Sequence, residues 1–510
     1  MSRGSATTAE DFREGTPTDK EPITVKGRIA ERDREIRRLP RRGAVKRYIL
    51  TSAQNNTHVH EAVWLNLMAF AEHYNAELVV GTFSYNKSNH GAKSVKRGAK
   101  IDRNREAWYD PQVIEHIVDR PVQLAPGLIW GGELNIIPTS MNPLSQLEAY
   151  NGRHSNIVPH AKFALASIAS LADEDTKFNY TTGTVTQRNY IQKKIGLLSE
   201  RYHGYGGLLV EVMANGYWFV RQLEAAPDGR IRDLTLKAQD GAVTDGHPIA
   251  AIVAGDVHVR VVDPMTAKAI WAPGGMLDVL RPALQVLHDV IDFRSRNHHE
   301  AKDPFALYQK WEEGGESVED EVQEVVDFLD DVATRDWCET VIAPSNHHEA
   351  MTRWLKEADW KKDPVNARFY LRACLAALDG VKDVFAWSCA EAGLKAPVRF
   401  LHTDESLVVA PDAEHGGTEA GMHGHLGPNG SRGNARAFAK LGRRSIVGHM
   451  HSACIYLGAW VVGTSTRMRL SYTRGPSSWS STHGILYPEG TSTLVTVWKG
   501  QWRATKKKTA

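Results

Sequence analysis

Cysteine is scarce: Cys338, Cys374, Cys389 and Cys454 are the only four in 510 residues, and no two have C-x-x-C spacing. That excludes a disulfide framework and a thiolate zinc site, and reduced thiols are expected. No apolar run approaches the ~18 residues of a membrane span, and the opening MSRGSATTAEDFREGTPTDKEP has no hydrophobic signal segment. A soluble, cytoplasmic protein without a standard export signal is therefore expected. No charge sign dominates either: 62 Lys+Arg against 60 Asp+Glu leave +2, so an anionic partner must be held by a local cluster of cations. No repeat of solenoid length is present. What is present is length and apolar content (42%) for a large core, divided between two domains. Histidine is plentiful at 22, and its motif-like clusters fall mostly in the second half.

Residues 1 to about 45 are polar and become basic around Arg34, Arg37, Arg38, Arg41, Arg42, Lys46 and Arg47. This reads as a mobile tail, either a solvated leader or an arm for nucleic acid or a subunit. Order is expected from Tyr48-Ile-Leu-Thr-Ser, a strand, followed by a helix over Glu61 to Tyr74 and a second strand at Ala76-Glu-Leu-Val-Val80. Strand, helix, strand indicates an α/β layer with a parallel pair. Further strands are expected at Gly127 to Trp130, Leu134 to Ile137 and Gly207 to Met213. Two polar clusters, Gln54-Asn-Asn-Thr57 with His58 and His60, and Lys177 to Gly183 running to Arg188, read as loops. Such loops suit phosphate or sugar contacts, with simple loop capping the commoner use. A Gly/Asp-rich turn at 240–246 marks a boundary, giving a tail (1–45), an N-terminal α/β domain (46–245), a second domain (246–503) and a basic end (504–510). Within the second domain, Val318 to Val332 has the apolar spacing of an amphipathic helix, and Glu349 to Leu378 reads as a helical block.

The chemistry concentrates in five polar clusters, most of them at strand ends. Ala250 to Ala254 runs into Gly255-Asp256-Val-His258; Leu284 to Leu287 runs into His288-Asp289, with Asp292 and Arg294 just beyond; Glu339 to Pro344 delivers Ser345-Asn346-His347-His348-Glu349. Gly421-Met-His423-Gly-His425 follows, then Ser445-Ile-Val447 with Gly448-His449-Met-His451. Carboxylates, imidazoles and an amide without thiolate suit Mn, Fe, Zn or Co rather than a structural zinc. Two ions about 3.5–4 Å apart are best held by a shared carboxylate, for which Asp289 is the natural candidate.

In order, residue type and strand context, this series closely resembles the calcineurin-like metallophosphoesterases over residues 248 to 503. The resemblance implies a β-sandwich flanked by helices, so that the whole chain is α/β (α+β). It implies two divalent cations, manganese first and iron, zinc or cobalt as alternatives. Asp256, His258 and His451 would hold one, Asn346, His423 and His449 the other, with Asp289 between. A hydroxide formed between the ions would attack phosphorus, and His347 would stabilise charge or protonate the leaving group. His425 becomes a substrate or supporting contact, and Arg294 a substrate contact, with loop salt bridging equally open to Asp292 and Arg294. Where the family usually has glycine, this sequence has His288 and Ser345, which should change loop geometry more than ligand identity. Asn297-His-His-Glu300 repeats the letters of Asn346 to Glu349 but follows Asp292 with no strand between, so Asn346 is preferred.

Tyr48 to Thr57 and Lys177 to Tyr190 also resemble a narrower family, the pre-early DNA-transfer proteins of T5-like bacteriophages, associated with host DNA degradation and control of DNA entry. That implies a DNase acting on DNA in the infected bacterial cytoplasm. Basic residues at 34–47 and Lys506 to Lys508 fit such a partner. A homo-oligomer and a phage or host protein partner stay open. Two other classes compete: a phosphomonoesterase for proteins or nucleotides, and a non-catalytic DNA-binding or assembly protein with a vestigial site.

Overall fold

A computed structural model describes residues 45–85, 108–150, 152–297, 300, 303–470 and 473–504. The expected basic arm at Arg34 to Arg42, the lysines at 506–508, and His298 and His299 of the rival motif lie outside them. Lys46 and Arg47, counted above with the tail, instead open the first strand, where Arg47 pairs with Glu211 at 2.9 Å.

The first half contains β1 (Lys46–Gln54), β2 (Glu77–Phe83), β3 (Pro121–Ala125), β4 (Leu128–Gly131), β5 (Ser155–Val158), β6 (Leu165–Ile168), β7 (Lys177–Thr181), β8 (Gly206–Val212) and β9 (Trp218–Glu224). A meander of β10 (Ile231–Asp233), β11 (Leu236–Gln239) and β12 (Ala242–Thr244) follows. The second half contains β13 (Ala251–Val253), β14 (Leu284–Leu287), β15 (Glu339–Ile342), β16 (Val398–Phe400), β17 (Val408–Val409), β18 (Thr418–Glu419), β19 (Arg444–Val447), β20 (Cys454–Tyr456), β21 (Ala459–Val461), β22 (Thr482–Leu486) and β23 (Ser492–Thr496).

The result is an α/β sandwich with no closed barrel. One layer is a ten-stranded sheet, β17-β18-β19-β21-β20-β6-β7-β5-β4-β3, which crosses residue 245 through the pairing of β20 with β6. Facing it are a four-stranded sheet, β2-β1-β8-β9, and a six-stranded sheet, β16-β15-β14-β13-β22-β23. These meet edge to edge: the Gln222 amide N–H donates to Thr493 Oγ1 at 2.9 Å, and the Leu494 amide to Gln222 Oε1 at 2.8 Å.

Strand alternation explains the layering. Leu50, Leu208, Val210, Ala251, Val253 and Val286 point into one core between the sheets, with Trp130, Ile446 and Trp460 opposite. Ile49 and Leu209 face the other way, onto the helix Glu61–Tyr74. Ile252, Leu287 and Ile342 likewise face the helical layer, onto which Val318–Val332 packs Val322, Val325 and Leu329. This amphipathic helix has the bounds its periodicity predicts. The block from Glu349 to Leu378 is two helices, Asn346–Glu357 and Ala367–Leu378, separated by a short turn at Trp360–Lys362.

Two readings are corrected. Leu134 to Ile137 is irregular, not a strand. Lys177–Thr181 is a strand, not a loop, hydrogen-bonded on both sides to β5 and β6. The polar residues beyond it serve the backbone: Thr184 Oγ1 donates to Ser52 O at 2.7 Å, and Thr182 Oγ1 to Gly183 O at 2.7 Å.

Candidate metal centre

The ligand candidates gather at the carboxyl ends of the mutually parallel strands β13, β14 and β15 and, from the facing sheet, at the carboxyl end of β19. Asp256 and His258 follow β13, Asp289 and Asp292 follow β14, Asn346 and His347 follow β15, and His449 and His451 follow β19. His423 comes from the loop after β18.

Their donor atoms converge. His451 Nε2 is 2.9 Å from Asp256 Oδ2 and 3.3 Å from His258 Nε2. His258 Nε2 lies 3.7 Å from Asp289 Oδ2, and His423 Nε2 3.0 Å from the same oxygen. Asp256, His258, Asp289 and His451 form a buried group able to hold an ion, and His258, Asp292 and His347 form an adjoining one. His449 joins through both its groups: its amide donates to Asp256 Oδ2 at 2.8 Å and its ring lies 5.2 Å from that of His423. Asn346 opens the helix Asn346–Glu357, capped by Ser345, whose hydroxyl accepts the His348 amide at 3.3 Å. Ser345 thus serves as a helix cap.

The two histidines of the Gly421-to-His425 segment separate. His423 is fully buried between Asp289 and Asp256, whose Oδ1 is 3.9 Å from its Nδ1, whereas His425 Nε2 lies 3.5 Å from Glu349 Oε1. Arg294 contributes its backbone: its amide donates to Glu321 Oε1 at 2.8 Å. Asp292, which the sequence leaves between a loose match to the family pattern and loop salt bridging, holds two site histidines. Its Oδ1 is 3.1 Å from His258 Nδ1, and its carbonyl accepts from His347 Nδ1 at 2.7 Å. Asp-x-x-Asp spacing was the available signal, but it does not say which imidazole the second carboxylate meets.

The backbone is shaped for this convergence. His258, Asp289, His449 and His451 all have left-handed φ, between 45° and 70°, a conformation that costs non-glycine residues about 1–3 kcal/mol each and persists at functional sites. Gly448 permits the closest approach: a Cβ there would stand 2.1 Å from Asp256 Oδ1 and 3.1 Å from the His288 ring.

Three carboxylates, Asp256, Asp289 and Asp292, are buried together. Burial disfavours their charge, yet surrounding histidines, His423 first for Asp256 and Asp289 and His258 for Asp292, hold all three below the usual carboxylate range. His258 shows the reverse balance: burial opposes its protonation, but Asp292, Asp289 and Asp256 lift it to about 9. His449 and His288 are pushed down to about 4, chiefly by burial. Without a cation, anionic carboxylates here depend on histidines taking up protons.

The donor set fits a metal ion. Asp289 Oδ1, Asn346 Oδ1 and both ring nitrogens of His423 are buried without a hydrogen-bond partner, a cost of about 1–3 kcal/mol for each such group unless something else satisfies it. His423 Nε2 and Asp289 Oδ2 stand 3.0 Å apart.

No protein-family description matches the chain. Protein A1 of Escherichia phage T5 is 35% identical to it over 479 residues, spanning 90% of this chain and 83% of that protein. At that identity and coverage, the chain belongs to the family of phage T5 Protein A1.

Proposed function

We propose that this chain is a calcineurin-like metallophosphoesterase that hydrolyses DNA phosphodiesters with two divalent cations, manganese first, in the cytoplasm of an infected bacterial host. The observation that carries the reading is the convergence of Asp256, His258, His423 and His451 on Asp289, with buried donors left unpartnered. Asp256, His258 and His451 would hold one ion, Asn346, His423 and His449 the other, and Asp289 both. When bound, the cations acidify a water and neutralise charge on the phosphoryl oxygens.

The protein's own groups orient and protonate. Asp292 engages Nδ1 of His258 and so turns Nε2 toward Asp289 and His451. His347 Nδ1–H donates to the Asp292 carbonyl, leaving Nε2 of that ring, 4.0 Å from Asp289 Oδ2, as the position that gains and gives a proton. A proton held there is available to the leaving oxygen. The choice of DNA rests on the resemblance of Tyr48 to Thr57 and Lys177 to Tyr190 to the DNA-transfer proteins of T5-like bacteriophages.

Purified full-length protein incubated with duplex and single-stranded DNA plus manganese should cleave DNA, and Asp289→Ala should abolish cleavage. Undiminished cleavage by that variant overturns the site. Hydrolysis of phosphopeptides or nucleotide monophosphates with DNA left intact selects the monoesterase reading, and metal binding without turnover selects the binding-protein reading.

A further inference from the structure

We propose that the described residues between 46 and 224 are a second, metal-free copy of the fold of the described residues between 251 and 496, serving as a built-in partner subunit that braces the ligand-bearing loop 448–453. The strand connections repeat. β1 is parallel to β2 and antiparallel to β8, which is antiparallel to β9; β13 is parallel to β14 and antiparallel to β22, which is antiparallel to β23. In the facing layer β3 is antiparallel to β4, β4 parallel to β5, β5 parallel to β7, and β7 antiparallel to β6. The strands β17, β18, β19, β21 and β20 repeat those four relations in the same order. β15 and β16 are additions to the second copy.

Local chemistry repeats with the topology. Gly183-Thr-Val-Thr186 and Gly463-Thr-Ser-Thr466 occupy the same connection. Thr184 Oγ1 donates to Ser52 O at 2.7 Å, as Thr464 Oγ1 does to Asp256 O at 2.9 Å. The Val185 amide donates to Ser52 O and the Ser465 amide to Asp256 O, while the carbonyls of Val185 and Ser465 accept the amides of His60 and Asp263, each the residue before a helix. Ile157-Val-Pro-His160-Ala-Lys162 then matches Ile446-Val-Gly-His449-Met-His451. In that register Leu165 corresponds to Cys454 and Ala166 to Ile455, and the observed pairs are Cys454 with Ala166 and Ile455 with Leu165. The junction is self-reciprocal, as a two-fold subunit interface is.

In the copied site Ser52 stands at the position of Asp256 and Lys162 at that of His451, while His160 keeps the counterpart of His449. Lys162 Nζ donates to Pro138 O at 3.0 Å. Burial lowers this ammonium to about 8, so at neutral pH it is largely protonated and has no lone pair for a metal. The backbone has relaxed as well: His449 and His451 have left-handed φ, whereas His160 and Lys162 do not. Strain remains where ligands remain.

The brace is visible at the junction. Both the amide and the hydroxyl of Ser167 donate to Ala453 O, at 3.2 and 2.7 Å, immediately after the loop carrying His449 and His451. Ser170 and Ser477 exchange amide-to-carbonyl bonds at 2.9 and 3.0 Å, and the Ser480 amide donates to His451 O at 3.0 Å.

Two measurements on the full chain test the proposal. In manganese titration, Asp256→Ala/Asp289→Ala should bind no ion, and Ser52→Ala/Lys162→Met should match the wild type in stoichiometry and within twofold in affinity. Manganese retained by the first double variant and lost on adding Ser52→Ala/Lys162→Met overturns the metal-free assignment. In hydrogen exchange without metal, Ser167→Ala should speed exchange at residues 448–453 about fivefold, the loss of one hydrogen bond of about 1 kcal/mol. Ser167→Pro, which also removes the amide, should speed it further. Unchanged exchange in Ser167→Ala overturns the brace. A wild type that binds no manganese defeats the metalloenzyme reading, and the exchange measurement still decides the brace.

Discussion

The carboxylate of Asp292 lies 3.1 Å from Nδ1 of His258, both side chains being almost wholly buried. Through that contact the second acidic residue of the Asp-x-x-Asp segment sets the direction of an imidazole on a neighbouring strand end. Asp292→Ala should therefore weaken manganese binding by about 10–100-fold, the usual cost of losing a partner behind a ligating histidine. Asp292→Asn, which keeps an oxygen toward His258, should lose less. Isothermal titration with manganese measures both, and equal affinities in wild type and Asp292→Ala would remove Asp292 from the site.

Asp289 faces His258, His347 and His423 at once. Asp289→Asn should weaken both ions together, whereas His258→Ala should chiefly weaken one. Calorimetric isotherms separate the cases, and identical single-site losses in the two variants would exclude a shared carboxylate.

His347 Nδ1 donates to the Asp292 carbonyl at 2.7 Å. His347→Ala should leave metal occupancy nearly intact and lower turnover by about 10²–10⁴-fold. With a nitrophenyl ester, whose leaving group needs little protonation, the deficit should shrink. A deficit that is the same for good and poor leaving groups assigns His347 to charge stabilisation instead.

Gly448 has no room for a side chain beside Asp256 and His288. Gly448→Ala should cost about 1–3 kcal/mol of stability by overpacking and displace Asp256 or the His449 amide that it accepts. Urea unfolding and manganese titration should both register the change; wild-type values in both would show that the loop can open at no cost.

His203 is held neutral in the fold, its Nε2 donating to Thr186 O at 3.1 Å and its Nδ1 accepting from Tyr190 Oη at 2.9 Å. Burial first, then nearby Arg188, lower its pKa to about 3, against about 6.5 in the unfolded chain. Below pH ~6.5 the unfolded state takes up a proton that the native state refuses, so its stabilising contribution is lost as pH falls toward 3, by up to about 1.4 kcal/mol per pH unit. Urea unfolding between pH 7 and 4 should show a shallower pH slope in His203→Gln than in the wild type. Superimposable slopes would show that His203 does not titrate differently on folding.

Much of this molecule is legible in the chain because it depends on local spacing. The helices Glu61–Tyr74 and Val318–Val332 follow from apolar residues recurring once per turn. The ligand clusters are legible because a metal site needs particular donor atoms, and parallel strands deliver them from motifs far apart in sequence. Lys177–Thr181 has the polar composition of a loop because its Asn179 and Thr181 are polar yet buried inside a sheet. Hydroxyls such as that of Thr181, which donates to Lys162 O, make such burial tolerable, and periodicity cannot reveal a partner distant in the chain. Asp292 was ambiguous for a related reason: its spacing places it near Asp289, but only the fold brings His258 and His347 to its two acceptors. The likeness of the two halves was hidden most deeply. It resides in strand direction and backbone hydrogen bonding, which many side-chain patterns can satisfy, so Ser52 and Lys162 could replace ligands while β1 to β9 kept their order. Residue chemistry determined where a metal could bind; strand direction and tertiary hydrogen bonding decided that the two halves are similar folds.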